Sequence, residues 1–463
     1  MSRLGDCAYI TKLAGFEHTK YIQGNISHKR TDKYDIPLFI GKTVRDGKID
    51  KKYDWYLPHE ISDQLPRSQL NKKCIVMPYV GTLGDLAIFD ADERCHLGSN
   101  IAKIELASDC GYSEEFVYYF IKSPWGQNVL FRDVQGGVQK NITMESIRDI
   151  ELPSYSPEMQ SHIVYVLSLL DKKIENNNAI CADLEAMAKL LYDYWFVQFD
   201  FPDENGKPYK SSGGKMVWNE DLKREIPEGW EVKPLGELIT VIRGISYKPT
   251  DERKEPGADT IALLKSNNIQ NGSVNFDQPV YLPNSLADAD QWLTKGSVFI
   301  TMSSGSKAHM GKTAVIYRDL PYVFGAFCAK ISIVEKANCF VSTYFRSDWF
   351  RAYIENVTAG TSINNISNDQ LIDILIPMPN ADLLEHFEVT LRSSFDKQGE
   401  LVEENRLLSS LRDFLLPMLM NGQVKLGDKD DLPPVAYPTD EAWDEYMIAA
   451  EPQKAYDAEG KGV

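Results

Sequence analysis

Between Pro157 and Phe196, seam residues recur at alternating steps of four and three: Ile163, Leu167, Leu170, Ile174, Asn177, Cys181, Leu184, Ala188, Leu191 and Trp195. Only Asn177 is plainly polar, because a free cysteine behaves as a small hydrophobe. A seam kept this long predicts one continuous helix that pairs with another helix along a narrow line. At about 1.5 Å of rise per residue the helix is roughly 60 Å long. A second helical stretch, about 381–421, supplies the partner. There Phe387, Leu391, Ser394, Gln398, Leu401, Asn405 and Leu408 keep the step, and Leu411, Leu415 and Met418 continue it after a phase shift. Each seam carries an asparagine, Asn177 and Asn405, a residue type that fixes register at some cost in stability. A globular stretch from about 200 to 380 joins the two helices, so they pair most simply as an antiparallel coiled coil.

An internal repeat explains why there are two such helices. Leu4-Gly5-Asp6 returns as Leu235-Gly236-Glu237, and the apolar run Cys74–Met77 returns as Ser297–Ile300. Each run enters a glycine-containing loop, Tyr79–Gly84 or Ser303–Gly311, followed by a strand-like run. Gly98–Ile104 answers Gly325–Ile331, with Lys103 and Lys330 at matching places. Gly136–Pro153 answers Gly360–Pro377 at a constant offset of 224. Repeats of this kind point to duplicated supersecondary units. Each unit mixes short β-rich runs with helical stretches such as Ser113–Ile121 and Val341–Ile354, so the fold class is α+β (mixed α/β), with Ser113 and Ser342 as helix caps. Pro227-Glu-Gly-Trp230 opens the second unit, and nothing like it precedes Leu4. The segment 202–215, rich in Pro, Gly and Ser, reads as a linker or exposed loop.

The chain has 463 residues and a formal net charge of −17, which on its face disfavours a polyanionic partner. The charge is unevenly spread: residues 1–73 hold fourteen Lys/Arg against nine Asp/Glu, and residues 428–463 hold ten Asp/Glu against three Lys. Local sign decides where a polyanion can sit. The seven cysteines, at 7, 74, 95, 110, 181, 328 and 339, form no CxxC or ligand spacing and predict free thiols in a reducing cytoplasm. No run approaches a membrane span, and the first residues have no signal-peptide core.

No catalytic constellation stands out. Gly311-Lys312-Thr313 and Gly41-Lys42-Thr43 lack the upstream glycine of a phosphate-cradling loop. Asp203 with Asp221 and Lys223 mimics a nuclease set but lies in or beside the expected linker, where carboxylates are not held rigidly enough for a metal. What remains are polar, basic and aromatic clusters in matching places. In the first half these are His18, Lys20, Tyr21, Asn25, His28, Lys29 and Arg30, with Lys140 and Asn141. In the second they are Arg243, Tyr247, Lys248, Lys265, Asn267, Asn268, Ser303, Ser304, Ser306 and Lys307, with Asn364 and Asn365. Lys and Arg suit phosphates and guanine edges, and Asn suits adenine edges. Recurrence in both halves favours a shared contact role. A metal-dependent nuclease and a coiled-coil adapter that never touches DNA are the alternatives.

The Leu-Gly-Asp/Glu starts, and the Gly136–Pro153 and Gly360–Pro377 segments running into long helices, resemble the specificity subunit of type I restriction-modification systems. The resemblance spans about residues 2–426. It implies two target recognition domains, 1–155 and 229–379, and two spacer helices, 156–200 and 380–425, while composition and charge mark a linker at 201–228 and an acidic, largely disordered tail at 426–463. It further implies a non-catalytic subunit that reads one half of a split double-stranded DNA site with each domain. Two methyltransferase subunits would dock on it, and restriction subunits would join them. No cofactor is expected in this chain; S-adenosylmethionine would belong to the methyltransferase subunits. The length of the helical spacer would then set the distance between half-sites.

Overall fold

In the computed structural model, which describes residues 2–45, 47–81, 83–132, 141–358 and 365–424, the first seam folds as one helix, Pro157–Tyr192, closed by a π-helical turn, Asp193–Val197. Proline at the first helical position costs no hydrogen bond, and the Ser156 hydroxyl accepts from the Met159 amide at 3.2 Å. The second long helix is Ala381–Met420, capped by Asn380, whose Oδ1 accepts from the Leu383 amide at 2.9 Å. All ten seam positions of the first helix are buried or half-buried, while Lys173, Glu175, Asn178, Ala182 and Asp183 beside them are exposed.

The chain divides into two compact units, one of residues up to Lys173 together with those from Leu407 onward, the other Ile174–Arg406. Each unit therefore holds one globular domain and a stretch of both long helices. Within each unit the helices pair antiparallel. In the second, the side-chain amide of Asn177 donates to Asn405 Oδ1 at 2.9 Å and to Glu404 Oε2 at 2.8 Å. Further along, Trp195 meets Phe387 with ring centroids 5.5 Å apart. The two seam asparagines thus find each other, as register-setting residues should. In the first unit, Arg412 donates to Asp171 at 2.8 Å, and Tyr155 Oη donates to the Met420 carbonyl at 3.1 Å.

The second seam has no phase shift. Leu401, Asn405, Leu408, Arg412, Leu415 and Leu419 continue the four-three step, while Leu411 is exposed. An arginine occupies a seam position because Asp171 on the other helix answers its charge. Without that partner in view, the sequence invites a shift to the next leucine.

The two globular domains share one topology. Each has a four-stranded antiparallel sheet: in the first, the order is Ala8–Lys12, Ile101–Leu106, Cys74–Pro78, Ala87–Phe89. In the second it is Ile239–Arg243, Cys328–Ile333, Val298–Thr301, Thr313–Val315. A second sheet pairs Ile36–Phe39 in parallel with Cys95–Leu97, and Thr260–Leu264 in parallel with Tyr322–Phe324. The Leu-Gly-Asp/Glu starts have a steric reason. A Cβ on Gly5 would lie 2.9 Å from Arg148 Cβ, and one on Gly236 would lie 2.4 Å from Ile372 Cγ2. Each glycine lets the chain entry press on the short helix, Met144–Arg148 or Asn368–Ile372, that precedes the last strand. Lys103 and Lys330 are both buried at matching positions, donating to the carbonyls of Gln69 at 2.9 Å and Trp292 at 2.8 Å. Burial pulls the Lys330 ammonium below the usual lysine range.

Two further expectations are corrected. Residues 201–228 are not a bare linker: Met216–Asn219 and Arg224–Pro227 form a hairpin, and Phe201 and Ile226 enter the core of the second domain. Phe201 stacks between Tyr209 and Trp230, with centroids 4.7 and 5.3 Å away. Three aromatic rings outweigh the Pro, Gly and Ser around them, because they bring more apolar area out of water. Ser113 does cap the helix Glu114–Lys122, accepting from the Phe116 amide. Ser342, by contrast, lies buried inside the helix Asn338–Tyr344, and a second helix follows at Asp348–Thr358. The tail from Lys425 on, with Lys140 and Asn364, lies outside the described residues.

Candidate nucleic-acid interface

In both domains the end of the strand before the glycine loop meets the segment that leads to the short helix. Val80 forms an isolated antiparallel bridge with Asn141, and Ser303 forms the same bridge with Asn365. The next amides repeat the match: Ile142 donates to the Tyr79 carbonyl at 3.0 Å and Ile366 to the Met302 carbonyl at 2.8 Å. The following isoleucines are buried, while Asn141 and Asn365 are exposed. Strand alternation puts one side chain inward and its neighbour outward, so the two asparagines sit at equivalent points on the two domains.

Around Asn365 the backbone ties several loops together. Ser303 donates to the Phe327 carbonyl at 3.0 Å, Ile245 to Phe324 at 2.7 Å, and Ala326 to Ile245 at 2.9 Å. This brings the Ser303–Lys307 loop beside Phe327, which is 69% exposed, and beside the strand end that leads to Tyr247 and Lys248. Lys307 and Lys248 are exposed and make no ion pair among the described residues. Lys265 reaches Glu252 at 3.8 Å, and Asn267 is exposed on the same turn.

In the first domain Asn141 lies beside Tyr79, over whose ring Lys12 sits at 4.3 Å. The Tyr79 amide donates to the Asn100 carbonyl and the Gly41 amide to Ser99, which joins the turn carrying Lys42. Lys42 pairs with Asp54, whose carbonyl lies 3.0 Å from His28 Nδ1. The His28 ring lies tilted over Trp55 at 3.6 Å between centroids, and Arg30 pairs with Glu93 at 2.9 Å. Lys20, over the Tyr21 ring at 4.7 Å, and Lys29 are exposed, and His18 is half-buried.

Three of the candidate residues turn inward. The Asn268 side chain is buried: its amide donates to the carbonyls of Asn275 and Asp277, and its oxygen accepts from the Lys265 amide at 2.8 Å. Arg243 spends its guanidinium on Asn368 Oδ1 at 2.8 Å and on the Ile366 carbonyl, and burial lowers its pKa. It braces the strand next to Asn365. The Asn25 amide donates to the Tyr21 carbonyl at 2.9 Å. Sequence inspection selects these residues by type and cannot see a carbonyl supplied by a distant strand. It also passes over Lys12, Lys42 and Phe327. Lys12 was detectable, since it pairs with Ala102 as Arg243 pairs with Ala329.

The nuclease-like set does not assemble. The Asp203 carboxylate accepts from the amides of Asn205 and Lys207 and closes a turn, while Lys223 pairs with Glu220 at 3.2 Å. Among the described residues no three His, Cys, Asp or Glu side chains converge as a metal group. No helix among them is long and apolar enough to cross a membrane.

Two copies of one domain, each offering amide and basic groups at the same loop surface and each built onto paired helices, define a class of tandem recognition proteins. The chain belongs to the family described as type I restriction modification DNA specificity domain, whose profile matches residues 16–186 and 227–387. It is 32% identical over 209 residues to the type I restriction enzyme EcoKI specificity subunit of Escherichia coli, covering 43% of this chain and 44% of that protein. The corresponding StySPI subunit of Salmonella potsdam gives 30% over 206 residues, again 44% of its length. The chain thus spans less than half the length of these curated relatives. The MjaIX specificity subunit of Methanocaldococcus jannaschii is 25% identical over 320 residues, covering 68% of this chain and 70% of the relative. A solved S subunit of a type I restriction-modification system from M. genitalium aligns with a TM-score of 0.46 at 16% identity, covering 90% and 94% of the two chains.

Proposed function

We propose that this chain is the non-catalytic DNA-recognition subunit of a type I restriction-modification complex, and that each globular domain reads one half of a bipartite site. The observation that carries this reading is the pair Asn141 and Asn365: exposed amides at equivalent bridge positions of two duplicated domains, each beside basic and aromatic side chains. An exposed Asn can address an adenine edge with both its donor and its acceptor. Lys12, Lys20, Lys29 and Lys42 in one domain, and Lys248, Lys265 and Lys307 in the other, supply the phosphate contacts that hold register. Exposed Phe327 offers an apolar face to a base or a thymine methyl. Asn268, Arg243 and Asn25 shape these surfaces from behind. The family's complexes place methylation and cleavage in other subunits. We therefore assign S-adenosylmethionine to methyltransferase partners, two of them for two equivalent domains, with restriction subunits completing the assembly. An acidic chain can serve here because those partners share the duplex.

Asn365→Ala is expected to weaken discrimination at one base position in one half-site by about 1–3 kcal/mol and leave the other half-site unchanged. Asn141→Ala is expected to do the reverse. Methylation of duplexes carrying single base changes in either half, assayed with the assembled methyltransferase complex, reads this directly. Equal losses at both half-sites from either substitution would contradict the assignment.

A further inference from the structure

Each globular domain is fastened to the paired helices of its own unit by a polar clasp that is buried at Tyr119, Arg346 and Gln398 and partly open to solvent at Asp171, Arg412 and Glu185. In the second unit Arg346, whose side chain is 6% exposed, donates to Tyr317 Oη at 2.6 Å and to Gln398 Oε1 at 3.2 Å, and lies 3.7 Å from the Glu185 carboxylate. Tyr317 Oη in turn donates to Gln398 Oε1 at 2.7 Å. Arg346 and Tyr317 belong to the domain, Glu185 to the first long helix and Gln398 to the second. The helix has a glycine where Tyr317 lies on it: a Cβ on Gly399 would stand 3.0 Å from Tyr317 Cβ. In the first unit Tyr119, from the domain helix Glu114–Lys122, donates to Asp171 Oδ2 at 2.8 Å. Asp171 Oδ1 accepts from Arg412 at 2.8 Å, so one carboxylate joins the domain to both helices.

The clasps are not copies of one another, although the four-stranded sheets and the long helices they join are. At the offset of 224, which also carries the starts of the helices Glu114–Lys122 and Pro157–Tyr192 onto those of Asn338–Tyr344 and Ala381–Met420, Thr343 stands for Tyr119 and Phe395 for Asp171, while Lys122 stands for Arg346 and Ile174 for Gln398. The same fold is therefore built without each clasp, and the clasps do something besides specify it. Apolar contact is non-directional and tolerates small slides. A partly buried charge-assisted network is directional and favours one geometry, and a slight shift takes its donors and acceptors out of hydrogen-bond range.

We propose that Tyr119–Asp171–Arg412 and Arg346–Tyr317–Gln398–Glu185 are positioning elements that hold each reading domain rigidly on the helices and so give the protein its selectivity for the gap between half-sites. The inference rests on the bipartite reading above. Its test uses Tyr119→Phe, which removes one hydroxyl, and Arg346→Met, each in the assembled methyltransferase complex. Methylation is measured on duplexes with the native gap and with the gap lengthened or shortened by one and two base pairs. The preference for the native gap should fall at least about fivefold in either variant, the scale of a coupling between two sites. Discrimination among bases within each half-site should stay as in the parent protein. An unchanged gap preference in both variants, with only the melting temperature lowered, would make the clasps purely structural and overturn the proposal. So would a loss of base discrimination inside a half-site, because it would place the effect in the domain itself. A parent complex that ignores gap length would overturn the bipartite reading, and the clasp proposal with it.

Discussion

Phe387→Ala is expected to destabilise the second unit by about 3–5 kcal/mol, the range for truncating a fully buried phenylalanine. Phe387 is 0% exposed at the point where the second long helix, the end of the first and the globular domain share one core. Its ring meets Phe196 at 4.9 Å, Trp195 at 5.5 Å, Tyr192 at 6.2 Å and Phe340 at 6.4 Å between centroids. Stiff aromatic neighbours held by several elements cannot collapse into the space a missing ring leaves, which puts this site at the costly end of the range. The next residue raises the stakes. The Glu388 carboxylate accepts from the amides of Cys339 and Phe340 at the start of the domain helix, so a displaced helix also unpairs two buried donors. Chemical denaturation followed by tryptophan fluorescence, which Trp195 and Trp230 report from this core, measures the change. A loss below about 1 kcal/mol would mean that the helix and the domain do not share a core there.

The second large effect is a pH dependence confined to the first domain. His96 is fully buried on the strand Cys95–Leu97, with Nδ1 donating to the Leu97 carbonyl at 2.8 Å. Desolvation pushes its pKa down to about 4; backbone bonds to Leu97 and Leu65 and the charge of Glu17 oppose the fall, and Arg94 nearby adds to it. An unfolded histidine takes its proton near 6.5. Between about pH 6.5 and 4 the unfolded chain binds a proton that the folded chain refuses, so stability is complete above 6.5 and declines as pH falls through this window. A shift of this size corresponds to about 3 kcal/mol by the acid end. The equivalent position in the second domain is Val323, paired in parallel with Leu263 as His96 is with Leu38. In His96→Val the decline across this window should largely vanish, whatever the variant costs at neutral pH. Equal slopes in variant and parent would show that His96 is not held neutral in the fold. Glu17, bonded by Arg67 at 2.6 Å and held below the usual carboxylate range, loses its stabilising charge only at the acid end and adds to the same trend.

These two residues also show what can be read from sequence and what cannot. The seam through Asn177, and Phe387 as a seam position, follow from periodicity alone, because a helix turns every 3.6 residues whatever surrounds it. The duplication follows from motifs that recur in the same order, and it carries Gly5 and Gly236, the buried lysines and the paired asparagines with it. Arg412 does not follow: a charge on a seam is favourable only because Asp171 sits opposite, some 240 residues earlier in the chain. Residues 201–228 misled because composition reports average habits, whereas Phe201, stacked between Tyr209 and Trp230, joins the core of the second domain. Among the candidate contact residues, residue type selected exposed loops, but burial sorted them. Asn267 and Asn268 are neighbours and the same amino acid, and only one of them faces solvent. The clasps were out of reach, since Arg346, Glu185 and Gln398 come from three separate elements with no shared spacing.

The most direct test of paired reading domains is the pattern of methylated bases in a genome, determined with this chain present, deleted, and carrying the second domain's Asn365→Ala. One motif should disappear on deletion, made of two short defined halves separated by a fixed gap of unspecified bases, and the substitution should relax one half alone. A motif without a gap, or no motif lost when the chain is removed, would contradict it.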